Sequence, residues 1–214
     1  MMGMTVEWEV APEEAAQLAG RVRLANSQYL LRPILVLVNG KKVPVKDGRF
    51  ELSTYPGHVD LEVEAKYYQP HRQELFLDEG LNEIDIMLEP AFSWAELDLF
   101  ARLVHAESAG EPYAGQVAVA ASVLHRLESP AYPDTIRGVI YQVTDGRYYQ
   151  YSPVLDGRIN LPANRTSFQA VYDALAGWDP SGGATGFYNP RKTSNRWVRS
   201  RPVTATIGRH VFFR

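Results

Sequence analysis

The period of the hydrophobic pattern changes near Pro90, and this change restricts the fold of the chain more than any other feature. From about Gly20 to Pro90, short segments alternate apolar and polar residues, as strands with one solvated face do. After Pro90, apolar residues recur every three or four positions, which is typical of helices. We therefore predict two domains, residues 1–90 and 91–214. The first is expected to be an all-β antiparallel sandwich, and the second is expected to be mainly α-helical.

Turn signals divide the first region into strands. Asn39-Gly40 is a strong hairpin signal, and Asp47-Gly48 predicts a second turn. Pro44 lacks an N–H donor, so the segment around it can only be an edge strand. The predicted strands are residues 34–38, 43–46, 50–52, 59–65, 75–77 and 84–88.

The second region contains three predicted helices. Ser93 and Glu96 match a capping box, and Pro112 should end the first helix near Gly110 because it disfavours helical geometry in the residue before it. A second helix is expected from Ala114 to Leu127, and a third from Thr166 or Ser167 to Ala176. Long loops, residues 128–165 and 178–214, fill the rest of this region, and loops often carry function.

Composition excludes several classes of protein. The chain has no cysteine, so disulfides, thiolate nucleophiles and cysteine zinc sites are ruled out. No apolar run is long enough to cross a membrane. The first residues lead directly into glutamates, which does not match a secretory signal, so we expect none in this chain.

The net charge of −3 is divided unevenly. Residues 1–90 have 9 Lys and Arg against 15 Asp and Glu, whereas residues 91–214 have 13 against 10. The second region could therefore attract an anionic polymer, or its cations could form an ordinary solvated surface. No nucleic-acid-binding motif accompanies them, so a nucleic acid partner is not expected. The cations that crowd together are Arg191, Lys192, Arg196, Arg199, Arg201 and Arg209.

Glu107 continues the apolar stripe of the first helix, three residues after Val104 and seven after Phe100. A carboxylate in line with a buried face is unusual, because burying its charge costs several kcal/mol. Two arrangements are physically reasonable. Glu107 either pairs with an arginine inside the fold, or it lies desolvated in a cleft with a raised pKa and can donate a proton.

Other chemistries can be tested against the same segment. His105-Ala106-Glu107 matches the start of the zinc deaminase motif, but that motif needs two later cysteines. A zincin would need histidine where the chain has Ala109. We therefore expect neither a metal nor a cofactor. Glu111 could share acid and base work, or it could orient a loop by accepting backbone N–H bonds.

Several segments of the second region resemble one known family in sequence order. The longest match runs from Leu103 to Arg126 and contains the Ala-Glu-x-x-Gly-Glu motif at residues 106–111. The other matching segments are 132–142, 151–154, 156–157, 188–190, Trp197, 201–203 and 207–212. Together they resemble the cell wall hydrolases related to the spore cortex-lytic enzyme SleB.

This resemblance implies a lysozyme-like domain that cleaves the glycan strands of peptidoglycan, with Glu107 as general acid. Cortex-lytic members of the family are lytic transglycosylases, which cut between N-acetylmuramic acid and N-acetylglucosamine and leave a 1,6-anhydro ring. The implied location is the bacterial cell envelope or the spore. The expected substrate-binding residues are Glu111, Tyr151, Ser152, Pro153, Val154, Tyr188, Asn189, Trp197 and Arg201.

The first region weakly resembles carboxypeptidase regulatory-like sandwiches, which are binding or spacer modules without chemistry of their own. Its partner is not indicated by the sequence. Two alternatives to catalysis remain open. The chain could be a glycan-binding protein that keeps the fold without activity, or a scaffold whose first domain recruits a protein.

Overall fold

The computed structural model describes residues 15–214, which form two compact units. The first unit contains residues 15–25 together with Arg32–Ala91, and the second contains Asn26–Leu31 together with Phe92–Arg214. The prediction that the chain does not begin with a secretory signal concerns residues that lie outside the described part. Among residues 15–214, no helix has both the length and the apolar character that crossing a membrane requires.

Seven strands build the first unit. They are β1 (Ala16–Leu24), β2 (Ile34–Val38), β3 (Lys41–Val43), β4 (Arg49–Thr54), β5 (Gly57–Ala65), β6 (His71–Leu77) and β7 (Gly80–Leu88). One sheet has the order β4-β1-β7, and the other has the order β3-β2-β5-β6. Strands β2 and β5, which were both predicted, pair in register, with Val36 opposite Val63. Both of these valines are fully buried.

The core of the first sheet depends on a close approach of a ring to a backbone. Gly20 in β1 is paired with Phe50 in β4. A Cβ atom on Gly20 would lie 2.0 Å from the Phe50 ring, so only glycine leaves room for it. The phenyl group thus occupies the space that a β1 side chain would fill, and Phe50 is 2% exposed.

The second unit contains helices and two small sheets. The helices are α1 (Trp94–Ser108), α2 (Tyr113–Glu128), α3 (Ile136–Ile140), α4 (Ser152–Asp156), α5 (Arg165–Leu175) and α6 (Arg196–Arg199), and a 3₁₀ turn spans Arg158–Asn160. The strands are β8 (Val143–Thr144), β9 (Tyr148–Tyr149), β10 (Gly186–Tyr188), β11 (Val203–Ile207) and β12 (His210–Phe213). β8 and β9 form a hairpin, and the other three strands form a sheet with the order β10-β12-β11.

The predicted fold class is wrong. The chain has a mixed α and β fold with several small sheets, not an all-β antiparallel sandwich joined to a mainly helical domain. In the first unit β1 pairs in parallel with β7, a contact between residues more than 60 positions apart that local alternation cannot indicate. In the second unit a three-stranded sheet occupies part of the segment that was predicted to be loop.

The three predicted helices of the second unit, α1, α2 and α5, begin and end close to the predicted positions. The capping box at Ser93 and Glu96 is present, and α1 ends at Ser108. Small side chains make α2 almost entirely buried, and α5 packs against both α1 and α2. Segment Asn26–Leu31 belongs to this unit through α5, where the Ser27 hydroxyl donates to Asp173 at 2.7 Å.

Candidate active site

Glu107 lies in the last turn of α1, at the edge of the buried face of this helix. Phe100, Leu103 and Val104 on the same helix are completely buried, whereas the Glu107 side chain is partly exposed. The apolar stripe therefore brings the carboxyl group into a largely desolvated position, and the end of the helix leaves it accessible from one side.

The electrostatic surroundings of Glu107 favour its neutral form. Burial is the main cause that raises the pKa of this carboxyl from an ordinary value of 4.5 to about 7, and the charge of Asp156 acts in the same direction. The cations Arg158 and Lys192 act in the opposite direction. At neutral pH both the protonated and the ionised forms are populated, which is the condition under which one carboxyl can act first as acid and then as base.

Arg158 fastens the segment after α4 to the turn that carries Glu107. Its Nη1 donates to the carbonyl oxygen of Ala106 at 2.6 Å, and its Nη2 donates to Ser152 Oγ at 3.1 Å. Its Nε donates to Asp156 Oδ2 at 2.9 Å. Ser152, which was predicted from the family motif, is thus joined through an arginine to the turn that carries Glu107.

Tyr151 immediately precedes α4 and lies close enough to Glu107 to interact with it electrostatically. The residue is 2% exposed, and among residues 15–214 its hydroxyl has no hydrogen-bond partner. Burial raises the pKa of this phenol, and the nearby Glu107 charge also raises it. The guanidinium of Arg126 lies over the ring at 5.0 Å and fixes its position. The hydroxyl is therefore neutral and able to donate a hydrogen bond near Glu107.

Glu111 has a different environment from Glu107. Its side chain is 4% exposed and accepts from the Arg209 backbone N–H at 2.8 Å and from Arg209 Nε at 2.7 Å. Burial acts to raise the pKa of Glu111, but the bonds from Arg209 hold it below its ordinary value. The tight β11–β12 turn permits this contact, since a Cβ on Gly208 would lie 2.3 Å from the Glu111 carboxylate. Glu111 thus anchors the hairpin to the turn between α1 and α2.

The aromatic residues predicted to bind sugar form a separate cluster around Phe213. Tyr188 and Trp197 have ring centroids 6.0 and 6.2 Å from that of Phe213. Arg201 lies over the Trp197 ring at 5.1 Å, and its Nε donates to the carbonyl oxygen of Arg214. Trp197 is 61% exposed, so one face of its ring is available to a ligand.

The remaining predicted residues support the backbone around these groups. Pro153 is buried in the first turn of α4, and Val154 is partly exposed. Asn189 Oδ1 accepts from the Arg191 backbone N–H at 2.9 Å, and this contact shapes the loop after β10.

Two features of the site did not follow from the sequence. The cation cluster was expected either to attract an anionic polymer or to form an ordinary solvated surface, but Arg199 and Arg209 are engaged with loop carbonyls and Glu111. The roles of Asp156 and Arg158 beside Glu107 were missed. Residues 156–157 lie in a motif segment, but nothing local indicates that Arg158 reaches the end of a helix some 50 residues earlier.

Comparison with known proteins places the second unit in a family. The Cell Wall Hydrolase family model matches residues 110–213. A spore cortex-lytic enzyme from Halalkalibacterium halodurans is 42% identical over 135 residues, which are 63% of this chain and 39% of that protein. The chain thus spans about two fifths of the length of this curated relative.

Two solved structures match the same unit. The catalytic domain of the germination-specific lytic transglycosylase SleB from Bacillus anthracis is 40% identical with a TM-score of 0.53, and the match covers 58% of this chain and 98% of that one. The SleB catalytic domain from Bacillus cereus is 41% identical with a TM-score of 0.53, and the match covers 58% and 93% of the two chains. Since nearly the whole of a solved SleB catalytic domain is covered at 40% identity, the chain belongs to the SleB family of cell wall hydrolases.

Proposed function

We propose that this chain cleaves the glycan strands of peptidoglycan, with Glu107 as its catalytic acid and base. The observation that carries the proposal is the partly exposed, largely desolvated Glu107 carboxyl, whose pKa is about 7. A carboxyl group in this state can protonate a leaving oxygen at neutral pH. Membership of a family whose relatives bear the names spore cortex-lytic enzyme and lytic transglycosylase supports the same conclusion.

The finer proposal is a lytic transglycosylase that acts between N-acetylmuramic acid and N-acetylglucosamine. Protonated Glu107 donates its proton to the glycosidic oxygen as the bond from that oxygen to C1 of the muramic residue breaks. The resulting carboxylate then accepts the proton of the C6 hydroxyl of the same residue as O6 bonds to C1. The products are a 1,6-anhydro muramic end and a free sugar hydroxyl, and Glu107 is protonated again. General acid and base help of this kind contributes roughly 10²–10⁴ in rate.

Asp156 is the second carboxylate near Glu107, and its bonds argue against a nucleophilic role. Both of its oxygens are engaged by Arg158, one by the backbone N–H at 3.1 Å and the other by Nε at 2.9 Å. These bonds hold the pKa of Asp156 below its ordinary value. Because both of its oxygens already accept from Arg158, Asp156 is not free to attack a sugar or to activate a water, which favours transglycosylation over hydrolysis.

Substrate contacts are proposed for the motif residues around Glu107. Ser152 is exposed and is joined through Arg158 to the turn that carries Glu107, and the exposed ring of Trp197 suits stacking against a sugar. Tyr151 is buried, so we propose that it supports the site and does not touch the sugar. For the whole chain we propose residues 91–214 as the catalytic part and residues 1–90 as a binding or spacer module. The proposed location is the bacterial cell envelope or the spore, where peptidoglycan is found.

Digestion of purified sacculi tests the proposal. Wild-type protein is expected to release soluble muropeptides, and Glu107→Gln is expected to release none while it still sediments with sacculi. Asp134→Asn is a matched control, because Asp134 is exposed on the loop before α3. Sedimentation of the wild type without any release of fragments would instead identify a non-catalytic glycan-binding protein.

A further inference from the structure

The last turn of α1 is held by a side chain from outside the helix. Ala106 immediately precedes Glu107, and carbonyl groups in the last turn of a helix lack partners within that helix. The Ala106 carbonyl oxygen accepts from Arg158 Nη1 at 2.6 Å. A cation at this end of a helix also interacts favourably with the helix dipole. The peptide group next to Glu107 is therefore fixed by Arg158.

The Arg158 guanidinium is itself fixed. Asp156 accepts from the Arg158 backbone N–H and from its Nε, and Ser152 Oγ accepts from its Nη2. Gly157 lies between the two charged residues with a φ of 84°, which allows the tight turn that lets them pair. With three of its side-chain donors engaged, the guanidinium has little freedom to leave Glu107.

Four groups act on Glu107. Arg158 comes from the 3₁₀ turn, Asp156 comes from α4, Lys192 comes from the loop after β10, and Tyr151 immediately precedes α4. Of these, Arg158 combines a charge that acts on Glu107 with a hydrogen bond to the adjacent peptide group.

We propose that Arg158 is a positioning residue for Glu107, and that its partner Asp156 moderates the effect of the arginine charge on the catalytic carboxyl. This inference rests on the proposed function of Glu107 as acid and base. It assigns two separable roles to one side chain: hydrogen bonding to Ala106 sets the placement of the catalytic turn, and the charge sets the pH range in which Glu107 can act.

The charge role makes opposite predictions for the two partners. Arg158→Gln removes a cation and leaves Asp156 ionised, so the pKa of Glu107 should rise above about 7. Asp156→Asn removes the anion and leaves Arg158 charged, so the pKa should fall. Each change is expected to be roughly three- to tenfold in proton affinity, the size of a charge interaction screened near a protein surface.

The carboxyl group can be titrated directly by NMR on the full chain with ¹³C-labelled glutamate. The Glu107 signal is identified by its absence in Glu107→Gln. The rate of sacculus digestion should fall at alkaline pH as Glu107 loses its proton. The pH of this fall should be higher in Arg158→Gln and lower in Asp156→Asn than in the wild type. The positioning role predicts that in Arg158→Lys the rate falls at nearly the same pH as in the wild type, but that the maximal rate is at least tenfold lower.

Arg102→Gln is the matched control. Arg102 also donates to the backbone of the 3₁₀ turn, at Ile159, and it pairs with Asp98 on its own helix. Its loss should lower stability without moving the titration of Glu107. The inference is overturned if Arg158→Gln and Asp156→Asn move that titration in the same direction or leave it in place. Absence of cleavage by the wild type would instead overturn the proposed function, and the NMR titration would still test the effect of the charges.

Discussion

Replacing Glu107 by glutamine should stabilise the protein, and the gain should depend on pH. The folded chain holds the Glu107 proton with a pKa of about 7, against an ordinary value of 4.5 expected in the unfolded chain. A group whose pKa is raised by folding favours the folded state fully at low pH and progressively less as the pH rises through that range. Wild-type protein should therefore lose stability between about pH 4.5 and pH 8, whereas the glutamine variant has no proton to lose.

The magnitude follows from the two pKa values. A tenfold change in proton affinity corresponds to about 1.4 kcal/mol, so the gain at pH 8 relative to pH 4 should be at most about 3 kcal/mol. Other titrating groups are common to both proteins and cancel in the comparison.

Urea unfolding followed by tryptophan fluorescence measures the difference. Of the four tryptophans, Trp94, Trp178 and Trp197 lie in the second unit, so the signal reports mainly on the part that contains Glu107. An advantage of the glutamine variant that is equal at pH 4 and pH 8 would refute the reasoning, because it would mean that Glu107 does not titrate between those values.

Three further predictions concern the surroundings of the site. Glu111→Gln should lower the free energy of unfolding by about 1–3 kcal/mol at pH 7, since it weakens the buried contact with Arg209. The loss should shrink as the pH falls through the lowered pKa of Glu111, and chemical denaturation at pH 7 and pH 3 measures it. Gly208→Ala should destabilise by about 2 kcal/mol or more in a thermal melt, because its φ is +59° and its Cβ would meet Glu111. Tyr151→Phe should leave both the thermal melt and the rate of digestion of sacculi nearly unchanged, because the hydroxyl has no partner among the described residues and is buried away from solvent.

Local patterns predicted the secondary structure of much of the chain. Alternation located β5, the apolar run before Asn39-Gly40 located β2, and the Ser93 capping box located the start of α1. Strand β1 was missed although its buried positions alternate regularly, because two of them are Ala16 and Gly20, which carry almost no hydrophobic signal. The ring of Phe50 supplies the missing bulk from another strand, and no local rule can indicate that.

The pairing of strands could not be predicted either, because it depends on contacts between distant parts of the sequence. β1 lies beside β7 with Ala16 opposite Gly80. The free energy of such a contact depends on how the side chains of the whole sheet pack. The three-stranded sheet of the second unit is built from short strands, and one of them, β10, has only three residues. Runs of that length cannot be distinguished from loop by their periodicity.

The candidate site shows the same division between local and distant information. The position of Glu107 on a buried stripe left two possibilities, pairing with an arginine or a raised pKa. In the structure the arginine ion pair belongs to Glu111 and the raised pKa belongs to Glu107. The two carboxyls differ because Arg209, which lies far away in the sequence, pairs with Glu111, whereas burial raises the pKa of Glu107, so the choice required the fold.

The most direct test of the account is mass spectrometry of sacculi digested by the wild type and by Glu107→Gln. We predict soluble fragments from the wild type that end in muramic residues lacking one water, the mark of a 1,6-anhydro ring, and no such fragments from the variant. Release of the same fragments by Glu107→Gln, or failure of the wild type to release any, would contradict the claim that Glu107 drives glycan cleavage.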